Sequence, residues 1–159
     1  MKTAVIYYSF EGNTALVAET IKAAIGADVF EIKTVDTKKR TGFTKYLWGG
    51  RQALMREKPE LMPLKVDINA YDLIILGTPV WAGSPAPAMF SFLSGTPVSG
   101  KKIALFCCHG GGKGKVFDKL KAMAPGNTIV AEIDIMNPAK EGRAALKQKI
   151  EEWVRTIGV

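Results

Sequence analysis

Only two cysteines occur in this chain, and they are adjacent, Cys107 and Cys108. Neighbouring cysteines close only a strained ring and cannot staple distant segments, which excludes a disulfide framework and implies a reducing, cytoplasmic compartment. Histidine occurs once, at His109, and no Cys/His spacing suits a metal ion. Apolar runs stay strand-sized, far below the ~18 residues of a membrane span, and the short apolar stretch after Lys2 does not make a secretory leader. Repeats, linkers and low-complexity stretches are missing as well, so the 159 residues read as one domain, 1–159, large enough to bury a full core.

Acidic residues are outnumbered, 15 against 22 basic ones, for a formal charge of +7. The excess is concentrated. Residues 38 to 58 hold seven Lys and Arg against Glu57 alone, and residues 101 to 121 hold six Lys against Asp118 alone. Clusters of this kind make faces that attract anions.

Strand-like runs alternate with helical patterns throughout, which predicts βαβ units around a parallel sheet. Strands are expected at Thr3 to Tyr8, Val29 to Lys33, Leu73 to Leu76, Ile103 to Cys107 and Ile129 to Ile135. The first helix reads from Asn13 to Ile25, stopping at Gly26. Phe43, Leu47, Gly50 and Leu54 suggest a second, weakened by Gly49-Gly50. Met89, Phe92 and Leu93 share a side of a third, Val116, Phe117, Leu120 and Met123 of a fourth, and Leu146, Ile150, Trp153 and Ile157 of the last. The fold class is α/β, a doubly wound five-stranded parallel sheet flanked by helices.

In such sheets ligands sit beyond the carboxyl ends of the strands. Three polar or glycine-rich loops follow strands here, at Ser9 to Thr14, Gly77 to Pro85 and Cys108 to Gly114, and they should converge on one rim. In the first, Ser9 and Thr14 offer hydroxyl donors, Gly12 admits an anion close to the backbone, and the helix starting at Asn13 presents free N–H groups. That chemistry suits a phosphate. In the second, Trp81 stands just past a buried strand, where an indole can stack on a planar ring.

Taken together the three loops resemble the flavodoxin family over essentially the whole chain, and the resemblance implies strand order 2-1-3-4-5 and an FMN cofactor. It implies that Ser9, Glu11, Gly12, Asn13 and Thr14 hold the phosphate, with the Glu11 carboxylate turned outward where the family usually has a hydroxyl. Thr78, Pro79, Val80, Trp81, Ala82 and Gly83 would flank the flavin, with Trp81 as the stacking residue. Cys108, His109, Gly110, Gly111 and Gly112 would wrap the pyrimidine edge. No aromatic stands in that third loop, unlike better known relatives, so one flavin face is left open or partly covered by His109. A lysine such as Lys113 or Lys115 at ~7 Å from the ring would favour negative charge on it by roughly 0.6 to 2.4 kcal/mol, on the order of 25 to 100 mV.

The resemblance implies an electron-transfer protein serving redox partner proteins, and the basic segment 38 to 58 suggests that those partners dock through acidic surfaces. No catalytic residue is assigned. An FMN-dependent NAD(P)H oxidoreductase acting on a quinone or a flavin is the alternative; against it, no arginine falls in the three loops to grip a phosphate. A receiver domain needs acidic residues where this chain has Tyr8-Ser9 and Gly77-Thr78. Single-stranded nucleic acid is suggested only by Phe43, Tyr46 and Trp48 among basic residues, a spacing that suits a helix core better, so neither nucleic acid nor membrane is an expected partner.

Overall fold

In the computed structural model the described residues are 1–35 and 58–159. The expected helix through Phe43, Leu47, Gly50 and Leu54, and nearly all of the first basic cluster, lie outside them.

Strand β1 (Thr3–Tyr8) is buried along its full length, and β2 (Asp28–Ile32) pairs with it in parallel. Helix α1 (Asn13–Ile25) joins them; its entry is Gly12 at φ 94° and its exit Gly26 at φ 66°. Both are left-handed positions that favour glycine, which is why the helix starts and stops there. Strand β3 (Leu73–Trp81) lies on the other side of β1 and turns back into the two-residue strand β4 (Ser84–Pro85). Helix α2 (Pro87–Gly95), β5 (Lys102–His109), α3 (Val116–Met123), β6 (Thr128–Met136), the one-turn α4 (Pro138–Glu141) and α5 (Arg143–Ile157) complete the described elements apart from a short 3-10 turn at Ile68–Ala70.

The sheet runs β2-β1-β3-β5-β6, with every pair on this path parallel and β4 antiparallel to the end of β3. With β4 set aside, this is the expected order 2-1-3-4-5. Alternation along the strands divides the core into two layers. Ile6, Ile74, Leu76 and Leu105 pack with Met89 and Phe92 of α2 and Phe117 and Leu120 of α3. Val5, Leu73, Ile75 and Phe106 pack with Val17 and Ile21 of α1 and Ile150 and Trp153 of α5. Helices thus cover both faces and leave the carboxyl ends of the strands open.

Two strands run further than expected. Gly77-Thr78-Pro79 reads as a stop signal, yet β3 passes through it. A Cβ on Gly77 would overlap the Phe106 ring, so the glycine serves packing against β5. Pro79 is tolerated because the pairing of β1 with β3 ends at Gly77. Likewise β5 continues through Cys108 to His109, so neither residue lies in a loop.

Candidate functional site

A cleft of about 430 Å³ opens where the carboxyl ends of β1, β3, β5 and β6 meet. Its first wall is the turn between β1 and α1, through Phe10, Glu11, Asn13 and Thr14. Ser9 lies behind the wall; its hydroxyl accepts the Ala15 N–H at 3.2 Å and so caps α1. The first intrahelical bond runs from Leu16 N–H to the Gly12 carbonyl at 2.9 Å. With Ala15 satisfied by Ser9, the N–H groups of Asn13 and Thr14 are left at the positive end of the helix. The Thr14 hydroxyl is buried without a hydrogen-bond partner. Glu11 is exposed and borders the cleft.

The second wall is the end of β3 and its hairpin. Pro79, Val80, Trp81 and Ala82 line the cleft. The Trp81 indole meets Phe10 edge-on at 5.3 Å and Tyr8 at 6.1 Å, so its orientation is set by aromatic packing from the first wall. Ala82 at φ 48° and Gly83 at φ 69° form the two-residue turn between β3 and β4, the positive pair typical of a tight hairpin. An alanine in that conformation stores about 1 kcal/mol of strain or somewhat more. Thr78 does not reach the cleft; it is fully buried, donates to the Pro79 carbonyl at 2.9 Å and accepts the Ala86 N–H at 3.0 Å, anchoring the approach to α2. Gly83 also stays off the cleft and packs against Gly114 of the next loop, with the Lys115 N–H donating to its carbonyl at 3.1 Å.

The third wall is the end of β5. Cys108, His109 and Gly110 line the cleft, whereas Gly111 and Gly112 are exposed and do not. Burial pushes the Cys108 thiol up to about 12 and also raises Cys107. Both thiols stay protonated and inert at neutral pH. The His109 imidazole is 8% exposed and its Nε2 lies 3.0 Å from Asp134 Oδ2; Lys113 Nζ donates to the other carboxylate oxygen, also at 3.0 Å. Those two hydrogen bonds, from His109 first and Lys113 second, hold the Asp134 carboxyl below the ordinary range. Lys113 is thus paired with a carboxylate that offsets its charge. The second basic cluster is also divided: Lys101 and Lys102 sit at the amino end of β5, away from the cleft, and Lys121 pairs with Glu132 and Asp118.

Asn137 and Pro138 close the fourth side. Asn137 adopts φ 47°, donates its N–H to the His109 carbonyl at 2.9 Å, and starts α4, whose Ala139 N–H reaches Asn13 Oδ1 at 3.3 Å. Neither residue was expected at the site. The Asn-Pro pair directly after an apolar strand was the available signal, since it marks a turn. Phe10 was missed too, although it stands inside the segment that suggests a phosphate.

A groove with the N–H groups of a helix start at one end and an indole at the other, on the carboxyl rim of a doubly wound sheet, has the layout of a nucleotide-binding α/β protein. The flavodoxin family profile matches residues 2–157, so this chain belongs to the flavodoxin family. A flavoprotein of Lactobacillus acidophilus solved in complex with FMN shares 25% identity over 96% of this chain and 98% of its own, with a TM-score of 0.74. A WrbA-like flavodoxin of Agrobacterium tumefaciens (18% identity, 99% and 95% coverage, TM-score 0.66) and two-electron reduced Megasphaera elsdenii flavodoxin (17%, 95% and 99%, 0.54) share the fold. A comparison with curated proteins gives no significant match. The cofactor is FMN, and the residues fit it: a buried, unpartnered Thr14 hydroxyl belongs to a cleft-lining residue at the start of α1. Among the described residues no group of side chains could hold a metal, and no helix is long and apolar enough to cross a membrane.

Proposed function

We propose that this protein is an electron carrier that shuttles electrons between redox partner proteins in the cytoplasm. FMN supplies the redox chemistry when bound. The chain contributes position and electrostatics: the Asn13 and Thr14 N–H groups and the Thr14 hydroxyl receive the phosphate, Trp81 stacks on the ring, and the Cys108 to Gly110 segment and the Ala82 turn border its edges.

The observation that carries this reading is the lining of the cleft. At about 430 Å³ it is near the small end of ligand sites, and among the described residues no lysine or arginine lines it. A nicotinamide dinucleotide would need room beside the flavin and cations for its phosphates. An NAD(P)H oxidoreductase is the second reading, favoured by the glycines after His109, which place no aromatic over the ring. The partners are proteins with acidic docking surfaces, drawn to a chain of charge +7.

The test mixes chemically reduced, FMN-loaded protein with an oxidised acidic iron–sulfur protein or a basic cytochrome in a stopped-flow instrument. Faster transfer to the acidic acceptor, slowing as salt is raised, supports the carrier and its docking charge. Transfer to neither acceptor contradicts the carrier. Equal rates insensitive to salt contradict the acidic partner.

A further inference from the structure

We propose that Lys119, tethered to the buried Ser84 hydroxyl, positions the β3–β4 hairpin and supplies the site with an uncompensated positive charge that makes the protein hold reduced FMN more tightly. The inference rests on the placement proposed above, with the flavin ring beside the Trp81 hairpin, and it holds for a carrier and an oxidoreductase alike. The hairpin needs an outside hold. Its corner is the left-handed pair Ala82 and Gly83, and an alanine keeps that conformation only where its surroundings over-determine it. Strand β4 is two residues long and pairs with β3 alone. The hold comes from the start of α3. The Lys115 N–H donates to the Gly83 carbonyl at 3.1 Å, and one turn further along the same helix the Lys119 ammonium donates to Ser84 Oγ. Ser84 is 3% exposed and is the register partner of Trp81, which lines the cleft where Ser84 does not. Opposite residues on antiparallel strands lie about 5 Å apart, so the ammonium is fixed about one residue away from the cleft wall.

Charge sets Lys119 apart from its neighbours. Lys113 is bound to Asp134, and Lys121 to Glu132 and Asp118. Among the described residues no carboxylate pairs with Lys119; its ammonium rests on a neutral hydroxyl. A serine oxygen satisfies one hydrogen of an ammonium without cancelling its charge. Lys115, at the same end of α3, is exposed and therefore well screened, whereas Lys119 is half-buried between helix and hairpin. Two effects follow. The tether is mechanical: it fixes the hairpin that carries Trp81 and acts equally on oxidised and reduced cofactor. The charge is electrostatic and favours whichever state of the cofactor is more negative, which is the reduced one. Since no lysine or arginine among the described residues lines the cleft itself, Lys119 acts through the hairpin without touching the ring.

Three variants separate the two effects. Lys119→Met removes tether and charge, Lys119→Gln keeps an N–H donor for Ser84 without the charge, and Lys119→Arg keeps both. The dissociation constant of oxidised FMN is read from quenching of flavin fluorescence, and that of reduced FMN from the same constant together with the midpoint potentials of bound and free cofactor. Lys119→Met and Lys119→Gln should lose affinity for reduced FMN at least threefold more than for oxidised FMN, the effect of a unit charge acting across ~10 Å in a medium between water and protein. Their midpoint potentials should fall below that of the wild type, and Lys119→Arg should restore it. Lys119→Met should also lower the urea midpoint of the apo-protein. Equal losses in the two redox states, or an unchanged potential, overturn the inference, because a purely structural strut does not discriminate between them. Trp81→Ala tests the placement and should weaken FMN in both redox states. Unchanged affinity there overturns the placement and the inference with it, whereas a Trp81 effect without a redox-dependent Lys119 effect overturns the inference alone. Where Lys119→Met folds poorly, Lys119→Gln decides the matter.

Discussion

Replacing Gly114 with alanine tests whether the hairpin after β3 and the loop after β5 are held together by backbone contact. Gly114 sits at φ 55°, and a Cβ there would stand 2.5 Å from the Gly83 Cα and 3.1 Å from its carbonyl oxygen. Carbon atoms rest about 3.5–4.0 Å apart, so the loops must separate by about 1 Å. The left-handed backbone costs a non-glycine residue about 1–2 kcal/mol. Loss of the Lys115 N–H to Gly83 bond, 3.1 Å long, adds about 1 kcal/mol. Gly114→Ala should therefore lose about 2–3 kcal/mol in urea unfolding of the apo-protein, and weaken FMN because the hairpin carrying Trp81 shifts. Gly112→Ala in the same loop is the control: nothing lies within 4 Å of the new Cβ and no unusual φ is required. Its stability should change by less than about 0.5 kcal/mol. Equal stability of the two variants would refute the reasoning.

Two further outcomes follow from buried groups. Thr14→Val removes an unpartnered buried hydroxyl, so the apo-protein should hold or gain up to about 1 kcal/mol while FMN binds about 10- to 100-fold more weakly; parallel loss of stability and affinity in denaturation and fluorescence titrations would contradict a hydroxyl held for the phosphate. Burial raises both thiols above their unfolded value of 9.0, Cys108 to about 12. Above pH 9 the unfolded chain sheds thiol protons that the folded one keeps, so stability is full below pH 9 and falls above it, by roughly 1.4 kcal/mol per pH unit for each thiol. Urea midpoints at pH 8 and pH 10 should differ accordingly, and Cys107→Ser with Cys108→Ser should flatten the difference; equal wild-type midpoints would contradict it.

The parts of the fold that declare themselves are those governed by local chemistry. Thr3–Tyr8 is an unbroken β-branched and aromatic run, and Asn13–Ile25 is bracketed by Gly12 and Gly26, so both elements have the ends that pattern alone predicts. What stays hidden depends on pairing between distant segments. Gly77 looks like a turn residue until Phe106 from β5 is seen to fill the space beside it. The pairing of Cys107 with Asp134 across β5 and β6 puts the Asp134 side chain on the same sheet face as His109 two residues on, a juxtaposition of positions 25 apart that no spacing rule reveals. Ala82 at φ 48° is invisible for the same reason, since its strain is imposed by the pairing of Trp81 with Ser84.

A carrier that exchanges electrons with proteins should not take them from a nicotinamide, so the decisive experiment adds NADPH and then NADH to FMN-loaded protein without oxygen and follows the flavin absorbance. Neither nucleotide should bleach the flavin over many minutes, while dithionite bleaches it at once. Rapid, complete bleaching by either nucleotide would contradict the carrier and establish an NAD(P)H oxidoreductase with an accessible flavin face.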